Sequence, residues 1–186
     1  MTEAQLYTLV IQALQTGLTA MGIALAPVAG GVSVKQRYQP LTQGTPSNPT
    51  IYVHFDDQQR YGYPGRSDIA TSVAGSMLHS ESQLYIPMCQ VSATSIADTI
   101  DPDALAVGDL VKYAAFILNS DATRLWLRSN GLAVERIKQI RKTHFKDDKN
   151  RFEEAPTFDC SFVYCEVNTS LNPSIDKVTV TLYPLN

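Results

Sequence analysis

The residue types that could bind a metal or attack a substrate are few and far apart along this chain. It has three histidines, His54, His79 and His144, and three cysteines. Cys160 and Cys165 fall on one predicted strand, where residues five apart point to opposite faces. No C-x-x-C or H-x-x-x-H spacing is present. The sequence therefore predicts neither a metal site nor a cofactor, and an odd number of cysteines favours reduced thiols over a disulfide framework.

The combinations of residues that enzymes use for catalysis are also missing. There is no G-x-S-x-G elbow, no phosphate-binding P-loop and no G-x-G-x-x-G turn. Ser76 and His79 are close in sequence, but a catalytic base need not be a sequence neighbour of its nucleophile, and a loop explains the pair equally well. The adjacent acids Asp56 and Asp57 would point in opposite directions on a strand. We therefore predict that the protein is not an enzyme.

Basic residues concentrate in one stretch, between residues 124 and 146. If residues 132–145 form one strand, Arg136, Lys138 and Lys142 share a face, and such a face could contact nucleic acid or an acidic partner. The alternative is a solvated sheet face opposite the acidic segment that follows. The candidate contact residues are Arg124, Arg128, Arg136, Lys138, Arg141 and Lys142.

The overall composition limits the possible classes of protein. The chain has 186 residues, a net charge of −3 and a pI of about 5.5. A mildly acidic protein does not bind nucleic acid over its whole surface, because phosphate binding needs a basic surplus. No apolar run approaches the ~18 residues that span a bilayer, and the N-terminus lacks the basic region of a secretion signal. We expect synthesis in the cytoplasm and no membrane partner.

Periodicity and turn residues predict the elements that would position these side chains. Leu6, Val10, Leu14 and Leu18 form the apolar stripe of a helix over 2–21, with Thr2 as its N-cap. Strands over 32–38 and 50–63 would form a hairpin with a long loop at about 40–50. The weakly patterned segment at about 62–80 is predicted to be an extended loop. The remaining predicted elements are a strand over 82–94, a helix over 101–120 begun by Asp101, a helix over 122–131 capped by Asp121, and strands over 132–145, 157–169 and 176–184.

The resulting order is α-β-β-β-α-α-β-β-β, in which strands come in runs. Runs of strands indicate an α+β fold with a mostly antiparallel sheet and two or three helices packed on one side. The length suits a single domain over residues 1–186.

One stretch, "RYQPLTQGTPSNPTIYVHFDDQQRYGYPGR" over 37–66, carries a family resemblance. With its "QP-x-TQG-x-P" loop, its aromatic strand and its "RYG-x-P-x-R" turn, it resembles the tail-terminator family of tailed bacteriophages, whose members are also called neck, gateway or tail-completion proteins. The ending "RFEEAPTFDCSFVY" is similar to that of the family. The resemblance covers residues 3–66 and, more loosely, 132–185.

The resemblance implies a structural virion protein at the tail neck and a homo-hexameric ring. Such a ring caps the tail tube, joins it to the head-proximal connector or adaptor ring, can meet the sheath, and lets double-stranded DNA pass through its lumen during ejection. Because Tyr and Arg are enriched at interface hot spots, we expect the stretch over 37–66 to be an arm that contacts a neighbouring subunit. The expected interface residues are Arg37, Tyr38, Pro40, Pro46, Pro49, Tyr52, Arg60, Tyr61, Tyr63 and Arg66.

A second hypothesis from a different class also fits the residues. A nucleic-acid-binding accessory protein would use the basic segment over 124–146 together with exposed aromatic side chains. It would bind DNA in a strongly salt-dependent manner, which separates it from a structural ring protein.

Overall fold

The computed structural model describes residues 1–37, 48–73, 75–94, 106–146 and 152–173 of the chain. Three helices and six strands lie in these ranges. They are α1 (Glu3–Ala20), β1 (Ser33–Gln36), β2 (Thr50–Ala70), β3 (Ser76–Thr94), α2 (Val107–Asn119), α3 (Asp121–Ser129), β4 (Ala133–Ile137), β5 (Arg141–Lys146) and β6 (Phe152–Pro173). No helix among the described residues is long and apolar enough to cross a membrane.

Helix α1 begins with the capping box that the sequence predicts. The Thr2 hydroxyl accepts a hydrogen bond from the Gln5 amide at 3.3 Å, and the Gln5 side chain accepts one from the Thr2 amide at 2.8 Å. Two of the amides that lack helical partners are thereby satisfied. The predicted stripe from Leu6 to Leu18 is buried, so the helix packs through the face that its periodicity indicates.

Two helix caps were predicted from the sequence, Asp101 for α2 and Asp121 for α3, and the structure tests the second of them. Helix α2 is described from Val107, so the predicted cap Asp101 lies outside the described residues. Helix α3 is capped by Ser120, whose hydroxyl accepts a hydrogen bond from the Thr123 amide at 3.3 Å, and Asp121 is the first helical residue. The prediction that Asp121 is the cap is therefore wrong by one position. An acidic side chain in the first turn still interacts favourably with the helix dipole.

The sheet has the strand order β1-β2-β3-β6-β4, and β5 also pairs with β6. Strand β1 runs parallel to β2, with Ser33 opposite Thr50 and Gln36 opposite Val53. The predicted hairpin between these strands is therefore wrong. The chain over 37–49 is long enough to bring β2 back beside β1 in the same direction, which a tight turn cannot do.

The predicted extended loop over 62–80 is also wrong. Strand β2 continues to Ala70, and β3 begins at Ser76 after a turn that contains Gly75 with a φ of 74°. Such a short connection between neighbouring strands makes them antiparallel. The segment lacks the apolar alternation of a half-buried strand because neither of its faces is buried, and this hid it from a pattern search.

The single strand predicted over 132–145 is two strands, β4 and β5. Both run antiparallel to β6, with a register shift between Val134 and Arg136. The register shifts by one residue between the two strands, because Ile137 lies opposite Cys160 whereas Arg141, four residues on, lies opposite Thr157, only three residues away. The strand predicted over 176–184 lies outside the described residues.

The chain divides into two compact units. The core unit comprises Met1–Gln59 and Tyr85–Tyr164, and the strand unit comprises Arg60–Leu84 and Cys165–Asn186, of which 165–173 are described at its C-terminal end. Strands β2, β3 and β6 contribute residues to both units.

The core unit combines all three helices with the buried face of the sheet. The rings of Tyr7 on α1 and Phe55 on β2 meet edge to face at 5.0 Å, and the Phe55 amide donates to the Tyr7 hydroxyl at 3.1 Å. Phe158 and Phe162 on β6 are fully buried in the same cluster. The predicted α+β class with a mostly antiparallel sheet is confirmed.

Candidate subunit interface

The strand unit is held by polar pairs between β2 and β3. Arg66 Nε lies 3.0 Å from Glu81 Oε1, and His79 Nδ1 lies 2.6 Å from Asp68 Oδ1. His79 Nε2 is also 3.5 Å from Glu81 Oε1. The hydrogen bond with Asp68 and then that with Glu81 raise the pKa of His79 above its ordinary value. These four side chains form a charge ladder across the two strands.

The aromatic side chains of the predicted arm are exposed in the strand unit. Tyr63 is 99% exposed and Tyr61 is 62% exposed. The Gln83 side chain donates to the Tyr61 carbonyl at 3.0 Å, which fixes the backbone while the ring remains in solvent. Exposed apolar side chains of this kind mark contact surfaces when several occur together. The strand unit has further exposed apolar side chains in Ile69, Val73, Leu84, Val167 and Leu171.

None of the described residues of the strand unit is buried, over 60–73, 75–84 and 165–173. Every residue of the buried core belongs to the core unit. A three-stranded sheet needs an apolar face packed against something to be stable by itself. The described part of the strand unit has no such packing of its own.

The predicted interface residues of the core unit lie near β1 and β2. Arg37 is exposed, and its Nη1 donates to Gln90 Oε1 on β3 at 3.0 Å. Pro49 is half-buried, and its carbonyl accepts a hydrogen bond from the Ser33 amide at 2.8 Å. Tyr52 is half-buried on β2 opposite Lys35. The predicted contacts Tyr38, Pro40 and Pro46 lie outside the described residues.

The predicted basic surface is distributed over several elements. Arg124 and Arg128 are exposed one turn apart on α3. Arg136 lies opposite Ser161, whereas Lys142 lies opposite Pro156, two positions before the buried Phe158. Because side chains alternate along β6, Arg136 and Lys142 face opposite sides of the sheet, and the predicted shared face is wrong.

Lys138 and Arg141, the last two residues of the predicted basic surface, differ in the contacts that they make. Lys138 continues the β4 ladder through its amide, which donates to the Asp159 carbonyl at 2.8 Å. Arg141 Nη2 lies 2.8 Å from Asp159 Oδ2, so part of its charge is balanced within the chain. Together these placements give no single basic stripe of the kind that follows a nucleic-acid backbone.

Sequence reasoning missed an apolar groove among the three helices of the core unit. It has a volume of about 320 Å³ and is lined by residues that include Gly17 and Met21 of α1, Phe116 of α2, and Trp126 of α3. The sequence feature that could have indicated this groove is Phe116. It is a large aromatic residue that lies outside the inward-facing stripe of α2, and it is exposed in the structure. Met21, which lines the same groove, is also an exposed apolar residue, and several such side chains together indicate a contact surface.

Metal ligands and thiols are the groups compared next in the described part of the chain. No group of three or more His, Cys, Asp or Glu side chains in that part of the chain could hold a metal ion. All three cysteines are free; Cys89 and Cys160 are buried, whereas Cys165 is exposed. Burial raises the pKa of the Cys89 thiol well above its ordinary value, and a hydrogen bond with Cys160 adds to this effect. A thiol with a raised pKa is a poor nucleophile at neutral pH.

Comparison with known proteins identifies the family of this chain. A search of curated proteins finds no match. The sequence model of one family, described as E217 gateway protein gp29, matches residues 5–173. This match includes α1 from Gln5 onward, helices α2 and α3, the six described strands and the described residues of the strand unit. The chain therefore belongs to the E217 gateway protein gp29 family, a family of bacteriophage neck proteins.

Proposed function

We propose that the protein forms a homo-hexameric ring at the head–tail junction of a tailed bacteriophage. The ring caps the tail tube and joins it to the head-proximal connector, and double-stranded DNA passes through its lumen. The observation that carries this proposal is the family match over residues 5–173. A strand unit whose described residues include none that is buried also supports it, because such a unit gains its packing from a neighbour.

The net charge of −3 suits a conduit for DNA. A lumen with a basic surplus would hold the phosphates and make passage dependent on salt. We propose that the exposed arm residues Arg60, Tyr61, Tyr63 and Arg66 contact a neighbouring subunit, and that the whole chain assembles as one tail-terminator-like domain.

Electron microscopy of the purified protein tests this proposal. We expect class averages with sixfold rings at micromolar concentration, and a band for the protein in immunoblots of purified virions. A protein that stays monomeric in solution and is absent from virions would contradict it. Salt-sensitive binding to duplex DNA by a monomer would instead support the accessory-protein hypothesis.

A further inference from the structure

We propose that Cys89 and Cys160 form a site of oxidative modification, at which hydrogen peroxide converts the two buried thiols into a disulfide that joins and stabilises β3 and β6. Both thiols are free in the structure. The inference concerns the fold of one copy of the chain, so it does not rest on the proposed ring, and its failure would leave the proposed function in place.

The two cysteines lie directly opposite each other on neighbouring strands. Strands β3 and β6 are adjacent in the sheet, and two contacts between them fix their register. The rings of Tyr85 and Tyr164 stack at 5.4 Å, and the thiols of Cys89 and Cys160 are hydrogen-bonded. The step from 85 to 89 on β3 therefore matches the step from 164 to 160 on β6. The strands are antiparallel, and no bulge separates the two pairs.

The positions of buried residues support the same register. With Cys89 opposite Cys160, the buried Val91 of β3 falls opposite the buried Phe158 of β6. Both strands thus turn the same run of alternate residues toward the core. The two thiols lie within this face, where Cys89 is 1% exposed and Cys160 is fully buried.

Directly opposite residues of an antiparallel pair have the separation that a disulfide needs. Their Cα atoms are about 4.5 or 5.5 Å apart, and disulfides join Cα atoms that are about 4.4–6.8 Å apart. Residues displaced by two positions across the strands are about 7–8 Å apart, which is too far. Cys165 is exposed and lies five residues beyond Cys160 on β6, so it faces the other side and cannot replace either partner.

The oxidation balances with one molecule of hydrogen peroxide. The sulfur of one thiol attacks a peroxide oxygen, the O–O bond breaks, and the thiol proton leaves with the released hydroxide as water. The second sulfur then attacks the sulfenic sulfur, so that the S–S bond forms, the S–O bond breaks and a second water leaves. Two electrons pass from the sulfurs to the peroxide, which is reduced to two molecules of water.

Burial makes this reaction slow. The thiolate is the reacting form, and burial raises the pKa of the Cys89 thiol well above its ordinary value. Peroxide also reaches the pair only when β3 and β6 separate locally. A virion protein, as proposed above, leaves the reducing cytoplasm when the phage is released, so the disulfide would form after assembly.

Mass spectrometry of the Cys165→Ser variant tests the site, because Cys89 and Cys160 are then the only cysteines. Folded protein is treated with hydrogen peroxide, denatured in N-ethylmaleimide and digested. We expect the loss of the mass of two hydrogen atoms, no added maleimide, and a linked pair of peptides that separates on reduction. The disulfide should raise the melting temperature by about 5–10 °C, because it closes a long loop of the unfolded chain.

The matched control moves one thiol by two positions along the same buried face. In the Cys165→Ser background, Cys89→Ala with Val91→Cys places the thiol opposite Phe158 and diagonal to Cys160. Disulfide formation should then be slower by about tenfold or more. A thermal melt of the reduced protein shows whether this control is folded. Cys89→Ser in the same background is a second control, in which peroxide should produce no rise in melting temperature.

Three outcomes would overturn the inference. Peroxide that adds oxygen to the two thiols without joining them would show that they do not meet within the folded sheet. A disulfide that forms only in denatured protein, or equally fast in the control with the moved thiol, would show that the native register does not bring them together. A disulfide that leaves the melting temperature unchanged or lower would show that it does not stabilise the two strands.

Discussion

At the scale of single residues, we expect His79 to make the strand unit sensitive to pH. Its two ring nitrogens face Asp68 and Glu81, and Arg66 pairs with the same Glu81. The only titratable side chains on the described part of β6 in this unit are Cys165 and Glu166. The pKa of His79 is raised by the two carboxylates. Its protonated form therefore stabilises the folded hairpin fully below the ordinary histidine pKa, and this contribution is lost as pH rises through the raised value.

We predict that amide exchange over residues 66–81 becomes less protected between about pH 5.5 and about pH 8.5, after correction for intrinsic rates. In His79→Gln, which retains a polar side chain but cannot become charged, this pH dependence should disappear. Hydrogen exchange measured by mass spectrometry checks both. An equal pH dependence in the wild type and the variant would show that another group controls the hairpin.

The roles of helix caps and of exposed side chains differ in how well they can be predicted from the sequence. Thr2 and Gln5 were predictable as a capping box because that motif is entirely local. Asp121 and Ser120 are both good caps, and only the backbone of Ser120, with a φ of −68° and a ψ of 144°, shows which one starts α3. Phe116 could be recognised as lying outside the buried stripe, but the groove beside it depends on how three helices pack.

At the scale of elements, Gly17 permits close packing of α1 against α2. A β-carbon at this position would lie 2.3 Å from Ile117 Cγ2 and 2.8 Å from Ile117 Cγ1. Both γ carbons are attached directly to the Ile117 β-carbon, so they cannot move away without a shift of the helix or a change of rotamer. The absent side chain is therefore what allows the two helices to approach.

We predict that Gly17→Ala lowers the free energy of unfolding by about 1–3 kcal/mol, although alanine favours helix by about 1 kcal/mol. Urea denaturation measures the change. Gly108→Ala on α2 is the matched control, because its β-carbon would meet Lys142 Cε at an ordinary 3.8 Å, and it should be neutral or stabilising. The cost of Gly17→Ala should shrink in an Ile117→Ala background; equal costs in both backgrounds would argue against this contact.

The elements that sequence reasoning placed correctly are those with one buried face. Helix α1 and the buried half of β2, where Ile51, Val53 and Phe55 alternate, show the expected periods because the core imposes them. The second half of β2 and the first half of β3 lack that constraint and were predicted as a loop. The parallel pairing of β1 was also unpredictable, since strand direction depends on the path over 37–49 rather than on either strand.

At the scale of the whole molecule, the buried core and the proposed contacts of Tyr61, Tyr63 and Arg66 lie in different units. The buried core lies entirely in the core unit, and the described strand unit has no buried residue. We predict that replacing residues 61–83 with an Asn-Gly turn changes the melting temperature by only a few degrees but prevents ring formation. Calorimetry and electron microscopy measure the two effects.

The matched control is Leu125→Ala, which removes a side chain that is also exposed but belongs to α3 of the core unit. It should leave both the melting temperature and the ring unchanged. Rings formed by the shortened chain would show that the core unit assembles without residues 61–83, and the proposed role of Tyr61, Tyr63 and Arg66 would then be wrong.

The confinement of the core to one unit has a consequence for how this protein can evolve. A substitution in the described part of the strand unit meets no packed interior, so we expect it to cost little folding stability and to be selected mainly through the proposed contact with a neighbouring subunit. Exposed positions of the strand unit can therefore accept substitutions that match changes in that neighbouring surface. The buried positions of the helices and of the sheet face remain restricted by core packing. Among related phages we expect residues 60–84 to diverge faster than the buried positions of α1 and β6, and in step with their binding surfaces.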